Sequence, residues 1–378
     1  MKSNAFSSSG FGRRVVAGLL LAACSWLPAS ASPPPSEPRA TFQPYHPRFG
    51  RERPVVAVIG DNRGTELTDF VIPYAVLAQS GAAETVAVAT AAGPMAMRPA
   101  LTLQPEATVA QFDERFPQGA DYVIVPAVVH RDNPVLLAWI VAQSAKGATV
   151  VSICDGALVL AHAGLLKDRR ATAHWATRSL REERYPQTHW LRNQRYVIDG
   201  RIVSSAGISA AIPVSLALVE TIAGPRAAAM LGASIGVTQW SATHDSEVFR
   251  PKFGVNLRAF AATYVTNGWF HRTDRVGIPV APGVDDLALA LTADAYSRTG
   301  RSQAFAFAPS RSPTRTRAGL VVLPDQATPA ANERTLPALQ YGPQRPLFDQ
   351  VLASIATRYG RSTARGVALN FEYPWQAE

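Results

Sequence analysis

The stretch from Ala148 to Trp175, ATVVSICDGALVLAHAGLLKDRRATAHW, constrains this chain more than any other. Thr149-Val150-Val151-Ser152-Ile153 is an apolar, β-branched run, the pattern of a strand buried on both faces. Cys154 ends the run, Asp155-Gly156 follow, and Ala157 to Ala161 reads as a helix that stops near Gly164. A cysteine between a parallel strand and a helix occupies a sharp turn, the cysteine version of a nucleophile elbow. Free N–H groups and the positive end of a helix dipole favour the thiolate there. The small Gly156 lets the helix pack close to the strand. An inert buried thiol is the plain alternative. Two facts weigh against it. Cys154 is the only cysteine besides Cys24, and His174 lies twenty residues downstream, where an imidazole returning to the same sheet edge can take or hold the thiol proton.

These residues resemble a known family. ICDGALVLAHAGLLKDRRATAHW is similar to the cysteine turn of the ThiJ/PfpI (DJ-1/PfpI) family, Tyr196 to Gly207 to its following hairpin, and Ile208 to Gly224 to its next helix. The resemblance covers Pro54 to Gly224. It implies a class I glutamine amidotransferase-like, flavodoxin-like α/β fold: a doubly wound, mostly parallel sheet with helices on both faces. The strand and helix patterns from Pro54 onward agree with that grammar. The resemblance also implies site roles. Cys154 is the nucleophile, and an acid at the start of the first helix reaches its sulfur. Alignment puts Asp69 there in preference to its neighbour Glu66, although an Asp in a first helical turn is also ordinary capping chemistry. His174 orients the site, and the backbone N–H groups of Asp155 and Ala127 form an oxyanion hole. One departure concerns that hole: the family has Gly-Gly after the strand ending at Pro126, and this chain has Ala127-Val128, which restricts the turn.

The first residues read as a leader. Lys2, Arg13 and Arg14 precede the apolar run Val15 to Ala23, and Ala29-Ser30-Ala31 is a small-x-small cleavage site. The run is too short for a stable membrane span. Residues 1–31 are therefore expected to be a signal peptide that sends the protein to the periplasm; Leu21-Ala22-Ala23-Cys24 also resembles a lipoprotein box that would anchor it through Cys24. Residues 32–53 are proline-rich and read as a linker. The formal net charge is +9, but the basic residues are scattered, without a helix-turn-helix or a run interleaved with aromatics, so nucleic-acid binding is not expected. The seven histidines show no metal-ligand spacing, and no phosphate-cradling glycine loop is present. Neither a metal nor another cofactor is expected.

The cysteine domain spans 54–225. Residues 226–378 are read as a helical connection and a second, partial α/β unit, cysteine-less and degenerate, that packs on the first. Its basis is a repeat of features at an offset of 219 residues, with Leu101 to Glu106 answered by Leu320 to Asp325. Docked this way the second unit mimics the dimer that many family members form; a homodimer is the other arrangement. Ala364 to Pro374 resembles the family's closing segment. The leading function is a cysteine-dependent hydrolase or hydratase acting on a small electrophile, of the isonitrile hydratase or glyoxalase type. The alternatives are a ligand-sensing domain like those of AraC-type regulators and a cysteine redox sensor.

Overall fold

The structure is a computed structural model that describes residues 42–339 and 345–376. The leader, Cys24 and the linker as far as residue 41 lie outside the described residues. The main sheet has seven strands: β1 (Val55–Gly60), β2 (Glu84–Ala89), β3 (Ala107–Thr108), β4 (Tyr122–Val125), β5 (Thr149–Ser152), β6 (Tyr196–Asp199) and β7 (Ile202–Ser205). Their order is β6-β7-β5-β4-β1-β2-β3. Every neighbouring pair is parallel except the β6–β7 hairpin, which turns at Gly200 with φ 62°.

All six residues of β1 are buried, and their side chains alternate between two apolar layers. Val56 and Val58 face the layer containing α1 (Leu67–Ser80) and α4 (Ala211–Ala223). Val55, Ala57 and Ile59 face the layer containing α2 (Pro134–Ala145) and α3 (Gly156–His162). Each fully buried Val or Ile contributes about 1.5–3 kcal/mol, which explains why the central strands read as unbroken apolar runs. The chain builds outward from β1 through β2 and β3, then returns to β1's other side with β4, β5 and β7. The carboxyl ends of β1 and β4 are thus a topological switch point, the place where doubly wound sheets form ligand sites.

The second half adds β8 (Asp274–Pro279), α5 (Asp286–Ser297) and β9 (Ser302–Phe307), a parallel pair with a helical crossover, then α6 (Leu347–Tyr359) and α7 (Arg361–Asn370). The described residues form one compact body, and a single apolar cluster draws side chains from α1, α4, α5, α6 and α7. A sheet of short strands also crosses between the halves. The strand pattern at Ala100 to Leu103 belongs to this second sheet: Thr102–Gln104 pairs antiparallel with Met95–Arg98 on one side and with Val321–Val322 on the other. In that central pairing Leu103 faces Val322 and Gln104 faces Val321, and the Leu323 N–H donates to the Thr102 carbonyl at 2.9 Å. Exchanging residues 219 apart maps this pairing onto itself. Flanking it, Ala87 N–H donates to Glu106 Oε2 and Ala306 N–H to Asp325 Oδ2, both at 2.7 Å.

Candidate active site

Cys154 sits between β5 and α3 with φ 54°. The left-handed region costs a non-glycine residue about 1–3 kcal/mol, and such strain persists only where the surroundings enforce it. The enforcement is visible two residues on. A Cβ on Gly156 would lie 2.0 Å from the Val125 carbonyl oxygen, so α3 starts directly against the end of β4. The Cys154 N–H faces Ser205 Oγ at 3.4 Å, and the Asp155 N–H donates to the sulfur. The thiol is 6% exposed.

Asp69 lies in the first turn of α1 and is fully buried. It does not cap its helix: no side chain caps the α1 N-terminus. Its Oδ2 instead accepts the Ala127 N–H at 3.2 Å, and its Oδ1 is buried without a hydrogen-bond partner. The Ala127 N–H expected in an oxyanion hole is therefore spent on the Asp69 carboxyl, because the turn after β4 folds that N–H back toward α1. Among the two expected donors, Asp155 N–H alone faces the sulfur.

Around this pair the second half supplies charge. Arg298, at the end of α5, places Nη2 on Glu66, Nε on Asp294 Oδ1 at 2.5 Å and Nη1 on Asn370 Oδ1 at 3.0 Å. Thr68 Oγ1 donates to the other Asp294 oxygen at 2.7 Å. One guanidinium thus bonds two carboxyls, Glu66 and Asp294, of a cluster that Asp69 completes. The cluster relieves its surplus negative charge by holding protons. Burial, only partly offset by Arg298, pushes Glu66 up to about 8. Burial first, and then the Glu66 charge, raise Asp69 well above the usual carboxylate range. With Oδ2 accepting from Ala127, the Asp69 proton belongs on the unpartnered Oδ1.

The same burial changes the expectation for the thiol. Desolvation, followed by the Asp69, Asp155 and Glu66 carboxyls, pushes Cys154 well above its ordinary value, against the smaller opposing effect of the Asp155 N–H. The helix N-terminus therefore loses to burial, and the resting group is a neutral thiol, not the thiolate. Asp69 and Cys154 cannot both carry charge in this space. The arrangement is a protonated carboxyl beside a protonated thiol, coupled so that the loss of one proton strengthens the hold on the other.

His174 has a different place from the one expected. Its Nε2 lies 2.8 Å from the Asn370 carbonyl, and its Nδ1 accepts the Ala176 N–H at 3.1 Å. Both ring nitrogens are thereby engaged, and neither is left for the sulfur. The ring belongs instead to a buried polar cluster under the C-terminal segment. Glu372 accepts Trp175 N–H at 2.9 Å and His244 Nε2 at 2.6 Å, and these partners hold its carboxyl below its ordinary value despite burial. Asp155 accepts Thr177 Oγ1 at 2.7 Å, and Arg181 Nη1 donates to the His174 carbonyl. Gly207 is required where these groups meet, since a Cβ there would lie 2.7 Å from both Glu372 Cγ and His174 Cδ2.

Sequence reasoning missed Arg298 and Asp294. They stand 232 and 226 residues from Glu66 and Thr68, and their i, i+4 spacing on a helix reads as a common surface pair. Asn370 and Glu372 fall inside the closing segment that the resemblance singles out, but nothing local marks them as partners of His174. Among the described residues no group of three or more His, Cys, Asp or Glu side chains is placed to hold a metal ion.

A doubly wound parallel sheet with a cysteine on a strained turn beside its switch point defines a flavodoxin-like α/β cysteine domain. Residues 55–221 match the model of the DJ-1/PfpI family, and the chain carries a domain of that family. Among curated proteins it is 38% identical over 96 residues to the HTH-type transcriptional regulator CdhR of Pseudomonas aeruginosa, a match covering 25% of this chain and 28% of the relative. It is also 38% identical over 89 residues to the isonitrile hydratase of Pseudomonas putida, covering 23% of this chain and 37% of the relative. The matches therefore span well under half of either relative's length. Among solved structures, DJ-1beta of Drosophila melanogaster superposes with a TM-score of 0.45 at 18% identity, covering 50% of this chain and 100% of its own.

Proposed function

We propose that the chain is an exported, cysteine-dependent hydratase that adds water to a small, neutral, electrophilic carbon, with an isonitrile as the substrate class. The carrying observation is the Asp69 carboxyl: buried, held by one backbone N–H, with its second oxygen unpartnered, its acidity suppressed, and its charge acting on the Cys154 thiol. A neutral thiol and a protonated carboxyl suit a reaction that needs proton transfer as much as nucleophilicity. Asp69 gives its proton to the isonitrile carbon as the thiol sulfur bonds to that carbon, and the thiol proton passes to Asp69. This forms a thioimidate, R–N=CH–S–Cys154. Water then adds to the same carbon, the C–S bond breaks, the sulfur recovers a proton, and an N-substituted formamide leaves. The 38% identity to a protein named isonitrile hydratase supports the reading.

In this reading the second half is a cysteine-less repeat of the first, standing where a partner subunit would stand and contributing Arg298. The self-mapping pairing of Leu103 with Val322 supports that view. A ligand-sensing role is the second reading, supported by the locked His174 and by the match to a transcriptional regulator. A redox sensor is disfavoured, because the thiolate is the oxidisable form and the thiol here is held neutral.

The test is formamide release from a small alkyl isonitrile. Wild-type protein turns it over, Cys154→Ala does not, and Asp69→Asn falls by about 10²–10⁴-fold. Absence of wild-type turnover, with ligand-induced thermal stabilisation instead, transfers the assignment to the sensor. Export is checked by sequencing the mature N-terminus, where an intact Met1 in the cytoplasmic fraction would refute it.

A further inference from the structure

The segment following α4 carries a surface that the cysteine chemistry does not use. Leu257 to Phe270 is a helix with one π-helical turn at Ala262–Thr266. Its inner face is fixed: Ala259, Phe260, Thr263 and Asn267 are buried. Gly366 of α7 approaches so closely that a Cβ there would lie 1.9 Å from Thr263 Oγ1. Its outer face is apolar where a soluble helix would be polar. Leu257, Ala261, Val265 and Trp269 recur every fourth residue and are all exposed, Trp269 at 82%. Phe270 at 75% and Phe253 at 93% extend the stripe at its two ends. Scattered exposed apolar residues are ordinary, but an apolar stripe along a whole helix with aromatic residues at its ends is a contact surface.

Charge says what it contacts. From Val248 to Thr273 the sequence holds no Asp or Glu, and it carries Arg250, Lys252, Arg258 and Arg272. Beside the stripe a groove of about 920 Å³ is lined by Phe253, Leu257, Arg258, Arg361, Arg365 and Trp375. Among the described residues none of Arg258, Arg361 and Arg365 makes an ion pair, so three unneutralised guanidinium groups line one groove. The carboxylates that flank these segments are already engaged. Glu247 is paired with Arg178 and Arg250, Asp274 with Arg334, and Glu372 with His244. A second copy of the chain fits poorly, since a two-fold contact through this face would set arginine against arginine. A surface of anionic headgroups over an apolar interior matches both features.

We propose that this face binds the surface of an anionic phospholipid bilayer, with Phe253, Trp269 and Phe270 entering the headgroup–acyl boundary and Arg258, Arg361 and Arg365 receiving phosphates. The association is peripheral, and among the described residues no helix is long and apolar enough to cross a membrane.

The experiment is co-sedimentation of the full chain with phosphatidylglycerol-containing vesicles and with pure phosphatidylcholine vesicles. Circular dichroism and thermal melting confirm the fold of each variant. The expected result is binding at least tenfold tighter to the anionic vesicles and weakened by salt. Phe253→Ser/Trp269→Ser/Phe270→Ser should abolish the anionic preference, and each of Arg258→Gln, Arg361→Gln and Arg365→Gln should weaken binding by about fivefold. Vesicle binding that these folded variants leave unchanged, as an apolar leader alone would give, overturns the proposal. So does binding of inorganic phosphate without vesicle binding, and so does a concentration-dependent dimer abolished by the same variants in the absence of lipid.

Discussion

At Cys154 a helix N-terminus and one backbone N–H pull toward the thiolate, while burial and three carboxyls pull the other way and win. The pH dependence of alkylation by iodoacetamide should therefore show a midpoint above the ordinary cysteine value of about 8.5. A midpoint at or below that value would mean that the dipole governs the site after all. Gly156 offers an independent check of the turn. Gly156→Ala forces a methyl into the Val125 carbonyl, and overpacking of this kind costs about 1–3 kcal/mol or more, readable as a lower urea midpoint. The same substitution should make Cys154 more accessible, because relief of the clash moves α3 off the end of β4.

The element that brings charge from the second half to the site is α5. Its last turn carries Asp294, and Arg298 follows directly, so a helix of the second half ends on the start of α1. Arg298→Gln removes the only cation bonded to this carboxyl cluster among the described residues. Breaking a buried pair in this way costs about 3–5 kcal/mol, measurable by urea unfolding. Arg298→Lys keeps the charge but loses the three-way geometry and should fall between. Because Glu66 and Asp69 would then hold their protons more tightly, Arg298→Gln should also move the acid–base midpoints of any turnover to higher pH. A purely structural role would lower stability and leave the pH profile in place.

For the molecule as a whole, Glu66 links stability to pH. Its folded-state pKa is raised from 4.5 to about 8, so its contribution is fully present below 4.5 and is lost as pH rises through about 8. Thermal melting of the wild type should include this decline, and Glu66→Gln should flatten it between pH 5 and pH 8. Glu372 has the opposite sign: its pKa is depressed, so its contribution is present above 4.5 and is lost as pH falls through the folded value. The shared apolar cluster predicts that a chain ending at residue 225 is less soluble than the full protein and binds hydrophobic dyes. A fragment that stays monomeric and melts like the whole would show the second half to be dispensable for the core.

What the sequence determined by itself was everything written in local pattern. The apolar run at Thr149 reads as a strand buried on both faces, and so it is. The Cys154-Asp155-Gly156 turn and the Asp199-Gly200 hairpin are marked by glycines that a Cβ or a negative φ would spoil. Asp69 was legible because helix register and family resemblance both put an acid in the first turn of α1. The tertiary structure alone decided the charge state of the site. Burial suppressed the thiolate that the helix dipole favoured, the turn after β4 gave Ala127 N–H to Asp69, and Asn370 took the ring nitrogen that His174 was expected to offer sulfur. Arg298 carries no local mark of its role. Dielectric surroundings and contacts across more than two hundred residues are properties of the folded molecule, and no spacing along the chain encodes them.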